Sequence, residues 1–351
     1  MTRERLRVKF VARTPVDENP DLWLSLFKGR VPHIGNCDFI FDVNARDYDW
    51  LVAYDDLTFL PNEGRSNRTE ELACARENTL FITSEPSSVK IYGRHFTRQF
   101  GHILTKQPRE IIDHPNHIFQ TPPLRWFYGR PLEKDDTNYL DVDHFHNTPP
   151  LPKLHDLSTV CSNKQMKHTL HHQRYKFVME LKARMGDDFN VFGRGIRPIS
   201  DKAEAMDDYR FHIAIENHIE PGHWTEKISD CFLAYCIPLY YGPPDIQNDF
   251  PADSVIPIDI FDVDGALDII RREVSEQSYA KRLPALQKAR EMVLSKYNLM
   301  HAIAKIVEER HNPKATVDDN SYIYGRHKFR KTHKLKSLSD ILHTARFKRH
   351  F

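Results

Sequence analysis

Two short apolar runs, at residues 189–192 and 211–215, constrain what this chain can fold into more than any other feature. The first ends in Gly193-Arg194-Gly195 and the second in Glu216-Asn217. A helix-forming stretch then opens at Thr225-Glu226-Lys227 and is stopped before Pro238. Strand ends meeting helix starts in this way are the mark of an open α/β sheet, whose ligands sit beyond the strands' C-terminal ends.

Lys227 is the unusual residue in that pattern. Thr225 suits an N-cap and Glu226 a first helical turn, but a lysine there opposes the helix dipole by about 0.3–1 kcal/mol. Two readings stand. The lysine is solvated and paired with Asp230 or Glu226, as neighbouring helical charges often are. Alternatively it faces a diphosphate that the free backbone N–H groups of the helix start also bind. Arg194, between two glycines at a strand end, adds a guanidinium fork to the second reading. Lys202 and Arg174 are secondary cation candidates, and both read first as surface charges.

Here the chain resembles a known family. The segments VFGRG, DDYRFHIAIEN, WTEKISDCFLAYCIPLYYGPP and PADSVIPID resemble, in order and spacing, the donor-binding signature of family 10 glycosyltransferases, the α-1,3/1,4-fucosyltransferases. The resemblance covers about residues 159–262 well and the N-terminal half faintly. It implies a GT-B-like α/β architecture of two Rossmann-like, doubly wound domains facing a cleft. It also implies inverting transfer of L-fucose from GDP-fucose to a glycan hydroxyl, with no metal cofactor. By motif position Arg194 and Lys227 match the family's diphosphate-binding arginine and lysine. Glu226 matches the glutamate near the donor sugar and ribose, and Asn217 a donor-binding asparagine. His223 departs from the pattern, since the family more often has tyrosine three residues before that glutamate, and this leaves the donor identity open. In such a reaction a carboxylate takes the acceptor's proton while fixed cations meet the charge growing on the diphosphate. Glu85, after an apolar run and before Pro86, is the candidate base, with a plain turn residue as the alternative.

The remaining sequence sets bounds. A chain of 351 residues divides into a first α/β domain at 1–155, a donor domain at 156–312 and a tail at 313–351. A 40% hydrophobic and 28% charged composition with net charge +1 fits a globular protein with no general field for nucleic acid. Five cysteines without a CxxC pair argue against a disulfide framework and for a reducing compartment. No run of 18 apolar residues and no apolar leader after the charged start are visible, so a cytoplasmic location is expected.

Along the chain, strands are predicted at 6–11, 38–41, 50–54, 79–83, 101–104, 239–241 and 255–258. Helices are predicted at 69–77, 164–185, 203–208, 265–274 and 280–309, and an irregular region at 107–152. Asp141-Val-Asp-His-Phe-His146 holds metal-ligand types, but it lies in a Pro/Asn-rich stretch among 20 histidines and predicts no metal site. The pair Cys231 and Cys236 reads as core packing. The tail at 325–351 carries nine Lys/Arg against one acid, Asp340, interleaved with apolar residues up to Phe351. It suits an anionic membrane surface, with RNA or a docked final helix as the other readings. Outside the fucosyltransferase reading, the chain is a transferase of another nucleotide-activated sugar or a non-catalytic binding protein of the same fold.

Overall fold

In the computed structural model, which describes residues 5–59, 63–133, 136–166, 169–318 and 321–348, the chain forms two compact units. The first unit joins residues 1–123 to 299–351, and the second spans 124–298. The division thus falls earlier than the predicted 155/156, and the C-terminal stretch belongs to the first unit.

The first unit contains β1 (Leu6–Ala12), β2 (His33–Ile34), β3 (Cys37–Ile40), β4 (Trp50–Tyr54), β5 (Thr69–Glu71), β6 (Thr79–Ile82), β7 (His102–Thr105) and β8 (His117–Phe119). Two short helices, α1 (Asp21–Leu24) and α2 (Arg94–Thr97), lie between them. Seven strands make one sheet in the order β2-β3-β1-β4-β6-β7-β8, parallel except for the edge strand β2. Its central strands are apolar on both faces, with Val8, Phe10, Trp50, Val52, Leu80, Phe81 and Ile82 fully buried, as a sheet covered on both sides requires.

The second unit begins its sheet with β9 (His155–Val160), followed by β10 (Phe189–Phe192), β11 (Tyr209–Ile215), β12 (Ile237–Tyr241) and β13 (Ile256–Pro257). All pairings are parallel and the order is β10-β9-β11-β12-β13. The chain starts in the middle, goes one way to β10, and then returns across β9 to β11. That order is doubly wound, and its reversal point lies between β9 and β11. The helices are α3 (Val142–Asn147), α4 (His171–Met185), α5 (Glu226–Leu233), α6 (Val263–Ser275) and α7 (Ser278–Leu294).

β9 falls at the edge of the predicted irregular region and is the strand that apolar periodicity does not reveal. Its sequence, HDLSTV, is half polar, yet Ser158 and Thr159 are buried. Their hydroxyls are satisfied inside the sheet layer. Ser158 Oγ donates to the Ala205 carbonyl and meets His212 Nδ1 at 2.8 Å, and Thr159 Oγ1 donates to the Ile213 carbonyl at 2.8 Å. Once paired, such groups cost little to bury.

Other differences also have local causes. The helix predicted from residue 164 starts at His171, because the Leu170 N–H is held by the Asn217 carbonyl at 3.1 Å. Lys167 and His168 lie outside the described residues. Gly186, at φ 59°, ends the helix as expected. The stretch 203–208 forms only a 3-10 turn at Lys202–Ala205, capped by Asp201. Asp141 caps α3 by accepting from His144 N, so the Asp/His string is a helix start. All five cysteines are free and buried.

The segment returning to the first unit carries α8 (Leu299–Arg310), β14 (Tyr322–Tyr324), α9 (Arg326–Thr332) and α10 (Lys334–Lys348). β14 pairs antiparallel with β5, turning the predicted helix at 69–77 into a strand and a 3-10 turn. Glu70 in β5 then points inward to Lys9, 2.5 Å away and also fully buried.

Gly193, at the end of β10, has φ 126°, and a Cβ there would collide with the Cys161 carbonyl. Gly193→Ala is expected to destabilise the second unit by at least about 2 kcal/mol. Gly64→Ala, where nothing lies within 4 Å, should stay within about 0.5 kcal/mol of the parent. Urea unfolding of the two variants compares them, and equal midpoints would refute the assignment of strain to Gly193.

Candidate active site

A cavity of about 200 Å³ opens at the reversal point of the second sheet, beyond the C-terminal ends of β9 and β11. Its charged walls are Arg174, Lys202, Glu226 and Lys227. Each comes from a start of helical structure. Arg174 lies in the first turns of α4, Lys202 in the 3-10 turn, and Glu226 and Lys227 open α5.

Thr225 is the N-cap of α5, its hydroxyl accepting from Lys227 N at 3.4 Å. Behind it stands Glu216, which is buried at the end of β11. The Glu216 carboxylate accepts from Thr225 N at 2.9 Å, from Thr225 Oγ1 at 2.7 Å and from Tyr240 OH at 3.2 Å. It also holds Lys227 Nζ at 3.2 Å, while Glu226 holds the same ammonium at 3.3 Å. Lys227 is therefore paired with Glu226, as the first of the two readings allows, and also with Glu216, but not with Asp230. Burial would lower its pKa, but Glu216 and Glu226 outweigh that and push it up. Burial likewise would raise Glu226, yet Lys227 and Lys202 bring it down to about 2.

Lys202 is not a surface charge either. Its ammonium lies 2.5 Å from Asp230, a fully buried carboxylate that also accepts from Phe127 N at 2.8 Å. Burial favours the neutral amine, but Asp230 and then Glu226 raise its pKa and keep it protonated.

Arg174 differs from both lysines. It is only 8% exposed, makes no ion pair among the described residues, and donates to the neutral Asn217 Oδ1 at 2.7 Å. Its Nε has no hydrogen-bond partner. A buried guanidinium that no carboxylate reaches is costly unless an anion joins it.

The structure thus brings Lys227, Glu226 and Lys202 together, but the guanidinium on the cavity is Arg174 rather than Arg194. Arg194 is exposed on the turn after β10, where its carbonyl accepts from Asn163 N at 3.1 Å. The strand order explains this, because β10 lies on the far side of β9 from β11. Asn217 holds Arg174 through its amide and Leu170 through its carbonyl. His223 is buried, its Nε2 has no partner, and burial followed by the charge on Lys227 lowers its pKa to about 4. Glu216 and Asp230 are the members that residue patterns did not assign, while Arg174 was a secondary candidate read first as a surface charge. The only sequence trace of Glu216 was an acid directly after an apolar strand.

Glu85 stands in the first unit, exposed, on the turn after β6. Its carbonyl accepts from Gln107 Nε2 at 2.9 Å. Beside it, Ser84 Oγ and Lys90 Nζ converge on the buried Asp55 at 2.9 and 2.6 Å, which pins both ends of the turn.

A doubly wound α/β unit with buried cations at its reversal point is, as a class, a nucleotide- or phosphate-binding domain. Residues 151–281 match the family described as glycosyltransferase family 10 (fucosyltransferase), C-terminal part. Residues 151–281, and with them the whole of the second sheet, are thus similar to that family's C-terminal part. It is 34% identical over 74 residues to alpha-(1,3)-fucosyltransferase FucT of Helicobacter pylori, covering 21% of this chain and 16% of that protein. It is 27% identical over 132 residues to 4-galactosyl-N-acetylglucosaminide 3-alpha-L-fucosyltransferase 9 of Mus musculus, covering 36% of this chain and 33% of that one. The matches therefore span a third or less of these relatives. A solved alpha1,3-fucosyltransferase with GDP-fucose aligns over 90% of this chain and 93% of that one, at 16% identity and a TM-score of 0.48.

Three buried histidines around the site set a pH dependence. Burial, then the Lys202 charge, takes His212 down to about 3. Burial, then Arg174, takes His171 to about 4, close to the value of His223. With folded pKa values below the ordinary value near 6.5, the unfolded chain binds these protons first as pH falls. Stability is expected to drop from about pH 6.5 to about pH 4 by several kcal/mol in total, and the slope should ease below that. Urea unfolding at a series of pH values, with His212→Gln as the comparison, measures it; a flat profile over this range would contradict the burial of neutral imidazoles.

Proposed function

We propose that this protein is an inverting α-1,3-fucosyltransferase that moves L-fucose from GDP-fucose to a hydroxyl of a glycan. The observation that carries the reading is the buried Arg174, which has no ion-pair partner among the described residues, beside Lys227 in the reversal-point cavity of a domain similar to family 10.

In this reading the GDP diphosphate enters that cavity and supplies the anion Arg174 lacks. Lys227, aimed by Glu216, meets the same phosphates. As the bond from fucose C1 to the phosphate oxygen breaks, negative charge grows on the departing diphosphate. Cations already fixed there stabilise that charge without reorganising. No step needs a metal, and turnover is expected to persist in EDTA.

Glu226 serves best as a hydrogen-bond acceptor for donor hydroxyls. A carboxylate with a pKa near 2 takes a proton poorly at neutral pH, so it is a weak general base. That role falls to Glu85, on a turn that Asp55 and Gln107 hold in place. The base accepts the acceptor's hydroxyl proton while the oxygen attacks C1 from the face opposite the leaving group.

Donor turnover with GDP-fucose, GDP-mannose and UDP-sugars tests the assignment, and turnover of the latter two alone would replace fucose as the transferred sugar. Lys227→Ala and Arg174→Ala should each lower kcat/KM by at least about 10²–10³. Arg194→Ala should cost less, because Arg194 lies off the cavity. Glu85→Gln is expected to lower kcat by about 10²–10⁴ with GDP affinity unchanged. If Lys227→Ala and Arg174→Ala both retained full turnover, the site would lie elsewhere.

A further inference from the structure

The first unit has a reversal point of its own. From β1 the chain runs one way to β2 and β3, then crosses back to β4 and continues outward through β6, β7 and β8. Every pairing but that of β2 is parallel. The gap beyond the C-terminal ends of β1 and β4 is therefore where a sheet of this kind takes a ligand. Arg13 follows β1 at that gap and Asp55 follows β4. The strand ends are tied to one another, Arg13 N donating to the Tyr54 carbonyl at 3.3 Å and Asp55 N to the Ile82 carbonyl at 2.9 Å.

Asp55 is the constrained member. Its φ of 69° lies in the left-handed region, which a residue with a Cβ keeps only when its surroundings compel it. Three donors converge on its Oδ1: Ser84 Oγ at 2.9 Å, Lys90 Nζ at 2.6 Å and Tyr92 OH. Burial would raise its pKa, but Lys90 and then the hydrogen bonds from Lys90, Tyr92 and Ser84 bring it below the ordinary carboxylate value. Oδ2 is left facing Arg13, whose Nη1 stands 3.9 Å away. One buried carboxylate thus holds the turn that bears Glu85 with one oxygen and faces an arginine with the other.

Arg13 is not used up by that contact. At 3.9 Å the pair is beyond hydrogen-bond reach, and the guanidinium makes no hydrogen bond among the described residues. Its side chain is 55% exposed and lies 5.1 Å over the ring of Phe59, whose N–H donates to the Arg13 carbonyl at 3.1 Å. A guanidinium over an aromatic ring is held in place while its N–H fork stays available. Such a fork suits two neighbouring oxygens, and a sugar ring offers these as vicinal hydroxyls. A phosphate fits less well, because the Asp55 carboxylate stands beside the guanidinium and repels it.

We propose that the gap between β1 and β4 binds one sugar ring of the acceptor glycan, with Arg13 donating to its hydroxyls and Asp55 positioning both Arg13 and the Glu85 turn. This rests on the transferase reading and says where in the first unit the acceptor sits. A hydroxyl that gives its proton to Glu85 has to be held within reach of that turn, and Asp55 joins the turn to the group that holds the ring.

Initial rates with GDP-fucose test it, using galactose, N-acetylglucosamine and galactosyl-N-acetylglucosamine as acceptors and calorimetry for GDP affinity. Arg13→Gln is expected to raise the acceptor KM by about tenfold or more, to change kcat by less than about threefold and to leave GDP affinity as in the parent. Asp55→Asn should also lower kcat by about tenfold or more, because the turn loses its charged anchor. Ser84→Ala, a milder change on the same oxygen, should shift kcat in the same direction while thermal unfolding stays near the parent's. Arg98→Gln, at an exposed arginine paired with Asp113, is the control and should behave as the parent. An unchanged acceptor KM in Arg13→Gln would overturn the proposal, as would a loss of GDP affinity in that variant. So would transfer by the parent to none of the three acceptors while it still hydrolyses GDP-fucose. A parent that turns over no GDP-fucose at all would remove the transferase reading, and this inference with it.

Discussion

The Glu216 carboxylate is the contact on which the reversal-point cavity depends. It is a buried acid at the end of a central strand, and such a group is tolerable only when its charge and lone pairs are fully used. Four donors use them: Thr225 N, Thr225 Oγ1, Tyr240 OH and Lys227 Nζ. One side chain thereby ties the end of β11 to the first turn of α5 and to the neighbouring strand β12. It also resolves the apparent misplacement of a lysine in a helix's first turn. The dipole penalty, a fraction of a kcal/mol, is small beside a buried carboxylate held a few ångströms away.

The charges lining the cavity do not cancel evenly. Lys227 is shared by Glu216 and Glu226, and Lys202 is held by Asp230. Arg174 has two neutral partners, the Asn217 amide and the Cys161 thiol. The surrounding histidines hold their protons so weakly that they add no charge near neutral pH. The local field is therefore set by the lysines, the guanidinium and their carboxylates rather than by the imidazoles. Replacing Asn217 by an acid would neutralise Arg174 and remove the demand for an external anion. The neutral amide is thus what keeps the guanidinium available while still orienting it.

Much of the fold could be read from residues whose environment is local. The runs at Trp50–Tyr54 and Phe189–Phe192 are apolar because they are buried on both faces, and the pattern locates them to the residue. Thr225 and Gly186 carry cap chemistry that works in any context. β9 was hidden because Ser158 and Thr159 are buried through bonds to Ala205, His212 and Ile213, which adjoin them only once the sheet exists. β5 was hidden for a related reason, since its partner β14 lies near the other end of the chain. The return of residues 299–351 to the first unit rests on contacts of that kind too, such as Asn36 N to Glu308 at 2.6 Å.

The same distinction explains why the arginine that lines the cavity is Arg174 and not Arg194. Arg194 sits in a glycine-flanked turn that looks like a ligand loop, and sequence weighs such local signals heavily. Arg174 lies in the interior of a helical pattern, where an arginine ordinarily faces water. What buries it is topology. In a sheet ordered 2-1-3, the helix after the first strand and the helix after the third start on either side of one gap, while the loop after the second strand opens a strand further out. Arg174 and Lys227 accordingly come from the opening turns of α4 and α5, and Lys202 from the 3-10 turn by which the chain leads back to β11. A doubly wound sheet fixes where a phosphate site can be before it fixes which side chains serve it, so strand order is the better guide to the ligands than glycine content.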